Sequence, residues 1–484
     1  MPTLVIGGSQ SGVGKTSVAV GIMRALTNQG LVVQPFKVGP DFIDPGHHYR
    51  ATGRISHNLD GWMLTRSQNL DLFQQACHGA DIAIVEGVMG LFDGYGAESE
   101  AGSTAEIAKW LGAPVLLVIN ARALGRSAVA LIYGYTQFDP DLNVVGIVCN
   151  RIGSPSHLDR IRTALNSSLP QQAISLTIAG LPRSEPATIP ERHLGLWLAR
   201  EDNLAATYID TLAQLVQVNL DLEKLVNLAQ KQTRRVDLDP VGQPNKHLAI
   251  APPGGNAPVR IGVARDRAFC FYYGINLTLL AQAGATLIEF SPMHDSFPPD
   301  LDGLYLGGGY PELHAAVLSK NGEMRQAIAT FCQSNRPVYA ECGGLMYLSQ
   351  GLISDGEPRY PFVGTLPFWT RMGTQVKLGY RQVDVIQPLS LFPMGETSRG
   401  HRFHYSDMVD DQGHLLQAHA EIVKLNPLIQ LQYQVRGWGD RQTLEGYQIH
   451  NVLASYIHLH FGSNPAFAQR FVQRCRDLKL LSVS

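Results

Sequence analysis

Three short runs in the amino-terminal half bring together the residue types that phosphate chemistry needs. The first is Gly7-Gly8-Ser9-Gln10-Ser11-Gly12-Val13-Gly14-Lys15-Thr16-Ser17, directly after an apolar strand-like run and directly before an apolar-periodic helix. In that context Gly12 and Gly14 let backbone N–H groups turn toward phosphate oxygens, Lys15 reaches the terminal phosphates, and the Thr16 hydroxyl can ligate magnesium. Five residues separate Gly8 from Gly14, so the strict spacing holds only when Ser9 is counted as its first position. A glycine-rich turn that binds nothing is the bland alternative, and the strand-loop-helix context argues against it. The second run, Lys37-Val38-Gly39-Pro40-Asp41-Phe42-Ile43-Asp44-Pro45, sets two carboxylates and one amine just past a second strand, near the phosphate loop. The third, Glu86 to Gly94, follows the run Ile82 to Val85 and puts Glu86 at a strand's carboxyl end, where a magnesium-coordinating acid belongs. Lone acids at such ends are also common loop caps, and that reading stays open for Asp41, Asp44 and Glu86. Asn150 and Arg151, after Val144 to Val148, suit contact with a nucleotide base or a plain polar turn.

A different chemistry is suggested by Val338-Tyr339-Ala340-Glu341-Cys342-Gly343-Gly344-Leu345-Met346. A strand running into a tight turn and a helix puts Cys342 on a nucleophile elbow, where the helix start is expected to lower its pKa and Gly343 leaves room for a carbonyl. An inert buried thiol is the usual fate of a cysteine, and the flanking glycines tip the balance here. A base is supplied by Tyr456-Ile457-His458-Leu459-His460-Phe461, whose two histidines face the same way on a strand. Gly307-Gly308-Gly309-Tyr310-Pro311-Glu312 can present backbone N–H groups to an oxyanion, with Gly309 and Gly343 as the candidates, or can be a simple turn. Gly400-His401-Arg402-Phe403-His404-Tyr405-Ser406 and Gly46-His47-His48 lack a third or fourth nearby metal ligand, which favours substrate contact or structural hydrogen bonding.

The elements that must hold these groups form two α/β blocks. In the first, short apolar runs (Leu4 to Ile6, Val32 to Phe36, Ile82 to Val85, Val115 to Ile119, Val144 to Val148) alternate with helical stretches, which predicts a mostly parallel sheet with its chemistry on the loops after the strands. A periodic pattern from Leu204 to Leu228 predicts one closing helix, and residues 231–258 collect charges, prolines and glycines as a linker. Strands are expected again at Ile261 to Ala264, Thr286 to Phe290, Gly303 to Leu306 and Val338 to Ala340. The 484 residues exclude a single small module. A net charge of -2, from 39 Lys and Arg against 41 Asp and Glu, gives no field for nucleic acid, so an anionic ligand must be held locally. No run approaches the roughly 18 apolar residues of a membrane span. Met1 to Gly8 does not read as a secretory signal, so a cytoplasmic location is expected. Six dispersed cysteines without C-x-x-C argue against a disulfide framework or a zinc ribbon.

Together with Pro190-Glu191-Arg192-His193-Leu194-Gly195-Leu196 and Ala264-Arg265-Asp266, these runs resemble the cobyrinic acid a,c-diamide synthase family over nearly the whole chain. The first domain is similar to dethiobiotin synthetase, including the five-residue gap in the loop, and the second to the triad glutamine amidotransferases of corrinoid biosynthesis. The resemblance implies an α/β protein, with a P-loop amidoligase domain at 1–230 and a class I (triad) amidotransferase domain at 259–484. It implies ATP and glutamine as co-substrates, Mg2+ as cofactor and a small corrinoid as the molecule acted on, and it admits a homodimer. Gly12, Gly14, Lys15, Thr16, Ser17 and Asn150 would contact the nucleotide, Thr16, Asp41 and Glu86 the metal, and Lys37, Asp44 and Asp93 the carboxylate or transferred phosphate. Cys342 would be the glutaminase nucleophile and His458 its base. His460 stands where many triad enzymes have a glutamate, which leaves the third member without a candidate. Two rival readings follow from the same parts. One is amidation of another acceptor, such as nickel sirohydrochlorin, hydrogenobyrinic acid or other corrinoid carboxylates. The other is a nucleotide switch of the partitioning-ATPase type, whose loops generally carry an early lysine where this chain has Gly7, Gly8 and Ser9.

Overall fold

The computed structural model describes residues 1–168, 177–183, 202–234, 258–354, 358–387, 393–416, 419–437 and 442–483. The Pro190 to Leu196 run and most of the expected linker lie outside them. The chain divides into two compact units, Met1–His247 and Leu248–Ser484.

The first unit holds β1 (Thr3–Gly8), α1 (Lys15–Asn28), β2 (Val33–Val38), α2 (Asp44–Thr52), β3 (His57–Leu59), α3 (Arg66–Ala76), β4 (Ile82–Glu86), α4 (Thr104–Trp110), β5 (Val115–Asn120), α5 (Ser127–Gln137), β6 (Val144–Ile152), α6 (Pro155–Ser168), β7 (Thr177–Pro182), α7 (Asp202–Asn219) and α8 (Leu222–Gln232). Its seven strands pair in the order β3-β2-β4-β1-β5-β6-β7, parallel throughout. Parallel strands joined by crossover helices are covered on both faces, which is why β1, β2, β4 and β5 are almost continuously buried. Helix α1 presents Val18, Ile22 and Met23 to the same core as Ile209, Leu212 and Val216 of α7. Gly21 permits that approach, because a Cβ there would stand 2.6 Å from Val216 and 2.9 Å from the Leu212 carbonyl oxygen. The single closing helix expected over Leu204 to Leu228 is two. The chain breaks at Leu220, and the Asp221 carboxylate caps α8 by accepting from Lys224 N–H at 2.9 Å.

The second unit holds β8 (Val259–Ala264), α9 (Gly274–Gln282), β9 (Ala285–Phe290), β10 (Gly303–Leu306), α10 (Ala315–Lys320), α11 (Gly322–Gln333), β11 (Val338–Glu341), α12 (Gly343–Leu348), β12 (Gly351–Ile353), β13 (Tyr360–Pro361), β14 (Trp369–Val385), β15 (Thr397–Val409), α13 (His419–Leu425), β16 (Gln430–Arg436), β17 (Gln442–Ile449), β18 (Val452–Ser455), β19 (Ile457–Leu459) and α14 (Ala466–Val483). Strands β9, β8, β10, β11 and β18 form a parallel run. Beyond β18 the sheet continues antiparallel through β17, β16 and β14, and β15 bridges β14 to β19. The core of this unit gathers Phe269, Leu306, Val338, Leu345 and Tyr347 around the β10 and β11 ends. Among the described residues no helix is long and apolar enough to cross a membrane.

Candidate active sites

Parallel register explains why the phosphate-side residues meet. Lys37 on β2 and Ile6 on β1 are both paired with Glu86, the last residue of β4. Lys37 therefore lies inside β2 rather than beyond it, and its side chain is buried against the neighbouring strand. Its ammonium donates to Asp44 Oδ2 at 2.6 Å, Glu86 Oε1 at 2.9 Å and the Gly87 carbonyl at 3.0 Å. The Thr16 hydroxyl, on the first turn of α1, donates to Glu86 Oε1 at 2.6 Å and Asp44 Oδ2 at 3.4 Å. His48 of α2 completes the cluster, with Nε2 2.7 Å from Glu86 Oε2 and Nδ1 2.9 Å from the Ser56 hydroxyl.

Charge in this cluster is set by competition. Burial works against the Lys37 ammonium, but the Asp44, Glu86 and Asp41 carboxylates hold its pKa above the ordinary range. Burial and Asp44 likewise push Glu86 up, while Lys37 and the His48 bond outweigh them and keep it low. Hard oxygen donors on Thr16, Asp44 and Glu86 therefore converge behind the loop, a set that suits magnesium, which binds through one or two carboxylates and phosphate rather than an all-protein cage. Among the described residues no group of three or more His, Cys, Asp or Glu forms such a cage.

Asp41 was expected beside the metal. Its Oδ1 accepts from the Ile43 and Asp44 amides at 2.8 and 3.0 Å, holding the turn into α2, and its charge acts on Lys37, while Asp44 reaches Thr16. Lys15 donates to the carbonyls of Gln10, at 3.1 Å, and Met89. Gly12 and Gly14 sit at φ 76° and 98°, conformations that favour glycine. Asn150 donates to the Val13 carbonyl at 2.7 Å and Arg151 to that of Gly12 at 3.1 Å, so both brace the loop. Ser17 bonds Tyr208 of α7. The exposed Asp93 accepts from Gly90 N–H at 2.9 Å and stiffens the loop after β4.

The second constellation lies where β10, β11 and β18 end side by side. Cys342 links β11 to α12 at φ 47° and ψ -100°, the strained corner expected of an elbow, and its amide donates to the Ser455 carbonyl at 2.7 Å. The Gly343 N–H bonds the thiol. A Cβ on Gly343 would stand 3.0 Å from Gly309 N and from Pro311, so the turn after β10 lies directly against the elbow. On the other side of that turn, a Cβ on Gly308 would run into the His458 ring. His458 of β19 is cross-strand partner to His401 of β15, and their rings stack at 5.0 Å and 17°. Tyr273 holds its hydroxyl 2.7 Å from His401 Nδ1 and its ring 4.7 Å from His460. Glu341 fastens β11 to β19: its carboxylate accepts from Leu459 N–H at 2.9 Å and from the Tyr339 and Tyr305 hydroxyls at 2.7 and 2.9 Å.

Helix α12 was expected to lower the Cys342 pKa. Burial raises it instead, with the Glu312 and Glu341 charges adding to the effect and only the Gly343 N–H opposing it. A helix of one and a half turns does not outweigh that desolvation. Burial also pushes His458 down to about 3, so the pair rests as neutral thiol and neutral imidazole. The His404 ring stacks on Tyr456 at 3.7 Å and Ser406 donates to the Tyr456 hydroxyl at 2.9 Å. These contacts fit the structural reading of the Gly400 to Ser406 run.

Residues 4–196 match the CobQ/CobB/MinD/ParA nucleotide binding domain, and residues 260–466 match the CobB/CobQ-like glutamine amidotransferase domain. Three curated proteins named cobyrinate a,c-diamide synthase are similar from end to end. That of Syntrophotalea carbinolica is 46% identical across 98% of this chain and 99% of its own length. Those of Leptospira interrogans and Archaeoglobus fulgidus are 42% and 40% identical, each across 98% of its own length and 98% and 99% of this chain. The chain belongs to the cobyrinate a,c-diamide synthase family.

In this family member, the partners of several groups around the two constellations escape reading from sequence, His48 and His401 among them although their runs stood out as candidates for substrate contact or structural hydrogen bonding. His48, Tyr273 and His401 sit far along the chain from Glu86 and His458 and meet them only through pairing of strands and helices. The one available signal for His401 was its place in a polar-aromatic run flanked by Gly400. That glycine lets β15 approach β19, since a Cβ there would overlap the His458 carbonyl.

Proposed function

We propose that this chain converts the a and c carboxylates of a cobyrinate to amides, activating each carboxylate with ATP in the amino-terminal unit and taking nitrogen from glutamine at Cys342. The observation that carries this reading is the presence, on one chain, of a phosphate loop backed by the Thr16-Asp44-Glu86-Lys37 cluster and of a cysteine elbow that shares the Gly308-Gly309 turn with His458. End-to-end similarity to cobyrinate a,c-diamide synthases supports the acceptor.

The loop from Gly8 to Gly14 and the amides at the start of α1 cradle the nucleotide phosphates, and Lys15 exchanges its carbonyl partners for phosphate oxygens. Thr16, Asp44 and Glu86 would hold Mg2+, which when bound offsets phosphate charge. Lys37 keeps the paired acids ionised and in place. A corrinoid carboxylate oxygen attacks the γ-phosphorus, ADP leaves, and the acyl phosphate then loses phosphate to ammonia.

In the second unit the Cys342 sulfur attacks the glutamine carboxamide carbon while His458, kept neutral by burial, accepts the thiol proton and delivers it to the departing nitrogen. The Gly343 and Gly309 amides face the oxygen on which charge develops. Ammonia leaves, and water releases glutamate from the γ-glutamyl thioester.

The test is to incubate the protein with cobyrinate, ATP, Mg2+ and glutamine and weigh the corrinoid. Two replacements of hydroxyl by amino are expected. ADP and glutamate release without any mass change in cobyrinate, but with a change in another tetrapyrrole offered in its place, would overturn the acceptor.

A further inference from the structure

Strand β15 touches both members of the cysteine-histidine pair. The Cys342 thiol donates to the Phe403 carbonyl at 3.6 Å, and two residues back along the strand His401 is the cross-strand partner of His458. The two imidazoles lie nearly parallel, with ring centroids 5.0 Å apart and planes inclined by 17°. Both are buried. The same base ring is confined elsewhere by Gly308, where a Cβ would run into it, and by Phe271, whose ring centroid lies 6.5 Å away. His458 therefore occupies a slot, and the His401 ring is one wall of it.

That wall is itself fixed. Tyr273, the buried residue before α9, holds its hydroxyl 2.7 Å from His401 Nδ1 and meets the His401 ring edge-on at 6.0 Å. A flat ring anchored by packing and a hydrogen bond has little freedom to tilt away from its neighbour. Burial, with His458, His460 and Arg381 adding to it, holds the His401 pKa well below the ordinary imidazole range, so the wall stays neutral. Neutrality matters when His458 takes the thiol proton. A cation then forms out of water, and a neutral π-face within about 6 Å attracts it, whereas a second imidazolium would repel it.

We propose that His401 is a positioning residue of the glutaminase, whose ring face holds the His458 imidazole in its slot and stabilises the imidazolium formed on proton transfer. The inference rests on the reading of Cys342 as nucleophile and His458 as base. His401 acts through His458, so it bears on the rate of carboxamide attack and not on the binding of glutamine. Tyr273 in turn keeps the His401 ring face-on.

The experiment compares three variants of the full chain in glutamine hydrolysis. His401→Asn keeps an acceptor where Nδ1 meets Tyr273 but removes the ring face, so kcat should fall about 5- to 30-fold while KM for glutamine stays within about twofold. His401→Phe restores a neutral face without the nitrogen and should turn over about threefold or more faster than His401→Asn. Tyr273→Phe removes only the hydroxyl that fixes the wall and should lower kcat about 2- to 10-fold, again at an unchanged KM. Ammonium-driven amide synthesis should keep its native rate in all three. A native kcat in His401→Asn would overturn the proposal, and so would a raised KM at constant kcat, because His401 would then act on the substrate. Equal losses in His401→Asn and His401→Phe would also overturn it, since the ring face would then carry no part of the effect. Should the variants at position 401 fail to fold, Tyr273→Phe decides, and an unchanged kcat there contradicts the proposal. Failure of the underlying reading would look different, as unimpaired glutamine hydrolysis by Cys342→Ala.

Discussion

At Cys342 the balance between desolvation and local dipoles has a direct kinetic consequence. The buried thiol has its pKa raised, and His458, depressed to about 3, does not carry the positive charge that would stabilise a thiolate. The sign is unambiguous: with the thiol pKa above the working range, each pH unit gained raises the thiolate fraction about tenfold. Alkylation of the glutamine-free protein by iodoacetamide should therefore accelerate about tenfold per unit between pH 7 and 9, without a plateau. A plateau reached below pH 8, read from the pH dependence of the labelling rate of Cys342 by peptide mass analysis, would show a preformed thiolate-imidazolium pair and contradict this account. The phosphate-side residues make the complementary point. Lys37, Asp44 and Glu86 are all buried, yet each charge has an opposite neighbour within 3 Å, so the cluster stays ionised where an isolated charge would not.

Elements set those distances, and one of the close contacts among them is that between α12 and β10. A Cβ on Gly344 would lie 2.9 Å from Leu306 Cβ and closer still to its carbonyl, which is backbone and cannot swing away. Gly344→Ala should cost about 1–3 kcal/mol of stability, measured by urea unfolding of the full chain, and should reduce glutamine hydrolysis more than ammonium-driven synthesis. An unchanged urea midpoint and unchanged hydrolysis would mean that α12 can move off β10 freely. Elements whose residues are contiguous were also the ones legible in sequence. The phosphate loop, Glu86 at the end of β4 and the strand-cysteine-helix corner each occupy one short run, so local spacing reveals them. Groups that meet only through register were not legible. His401 reaches His458 through antiparallel pairing of β15 with β19, and the β12 to β17 extension of the second sheet was hidden among long half-exposed strands. Asp41, in one turn with Asp44, accepts from two amides through Oδ1, a contact that the spacing of the run does not show. The pKa of Cys342 was misread for a related reason: a helix start is visible in sequence, and burial is not.

Across the whole molecule, two chemistries are carried by two units that each have their own sheet and core. The link between them is ammonia, which is the same nucleophile whether it comes from glutamine or from solution. Removing the thiol should therefore end the supply and nothing else. Cys342→Ala deletes one small side chain, leaves Gly343, Gly344 and α12 in place, and touches no residue of the phosphate loop. The most direct measurement is cobyrinate amidation by Cys342→Ala, with ATP and Mg2+, driven in parallel by glutamine and by ammonium salt at mildly alkaline pH. Glutamine-driven synthesis should fall about a thousandfold or more, while ammonium-driven synthesis stays within about twofold of the native protein. Normal use of glutamine by the variant, or loss of both activities in a protein that remains folded, would contradict the account.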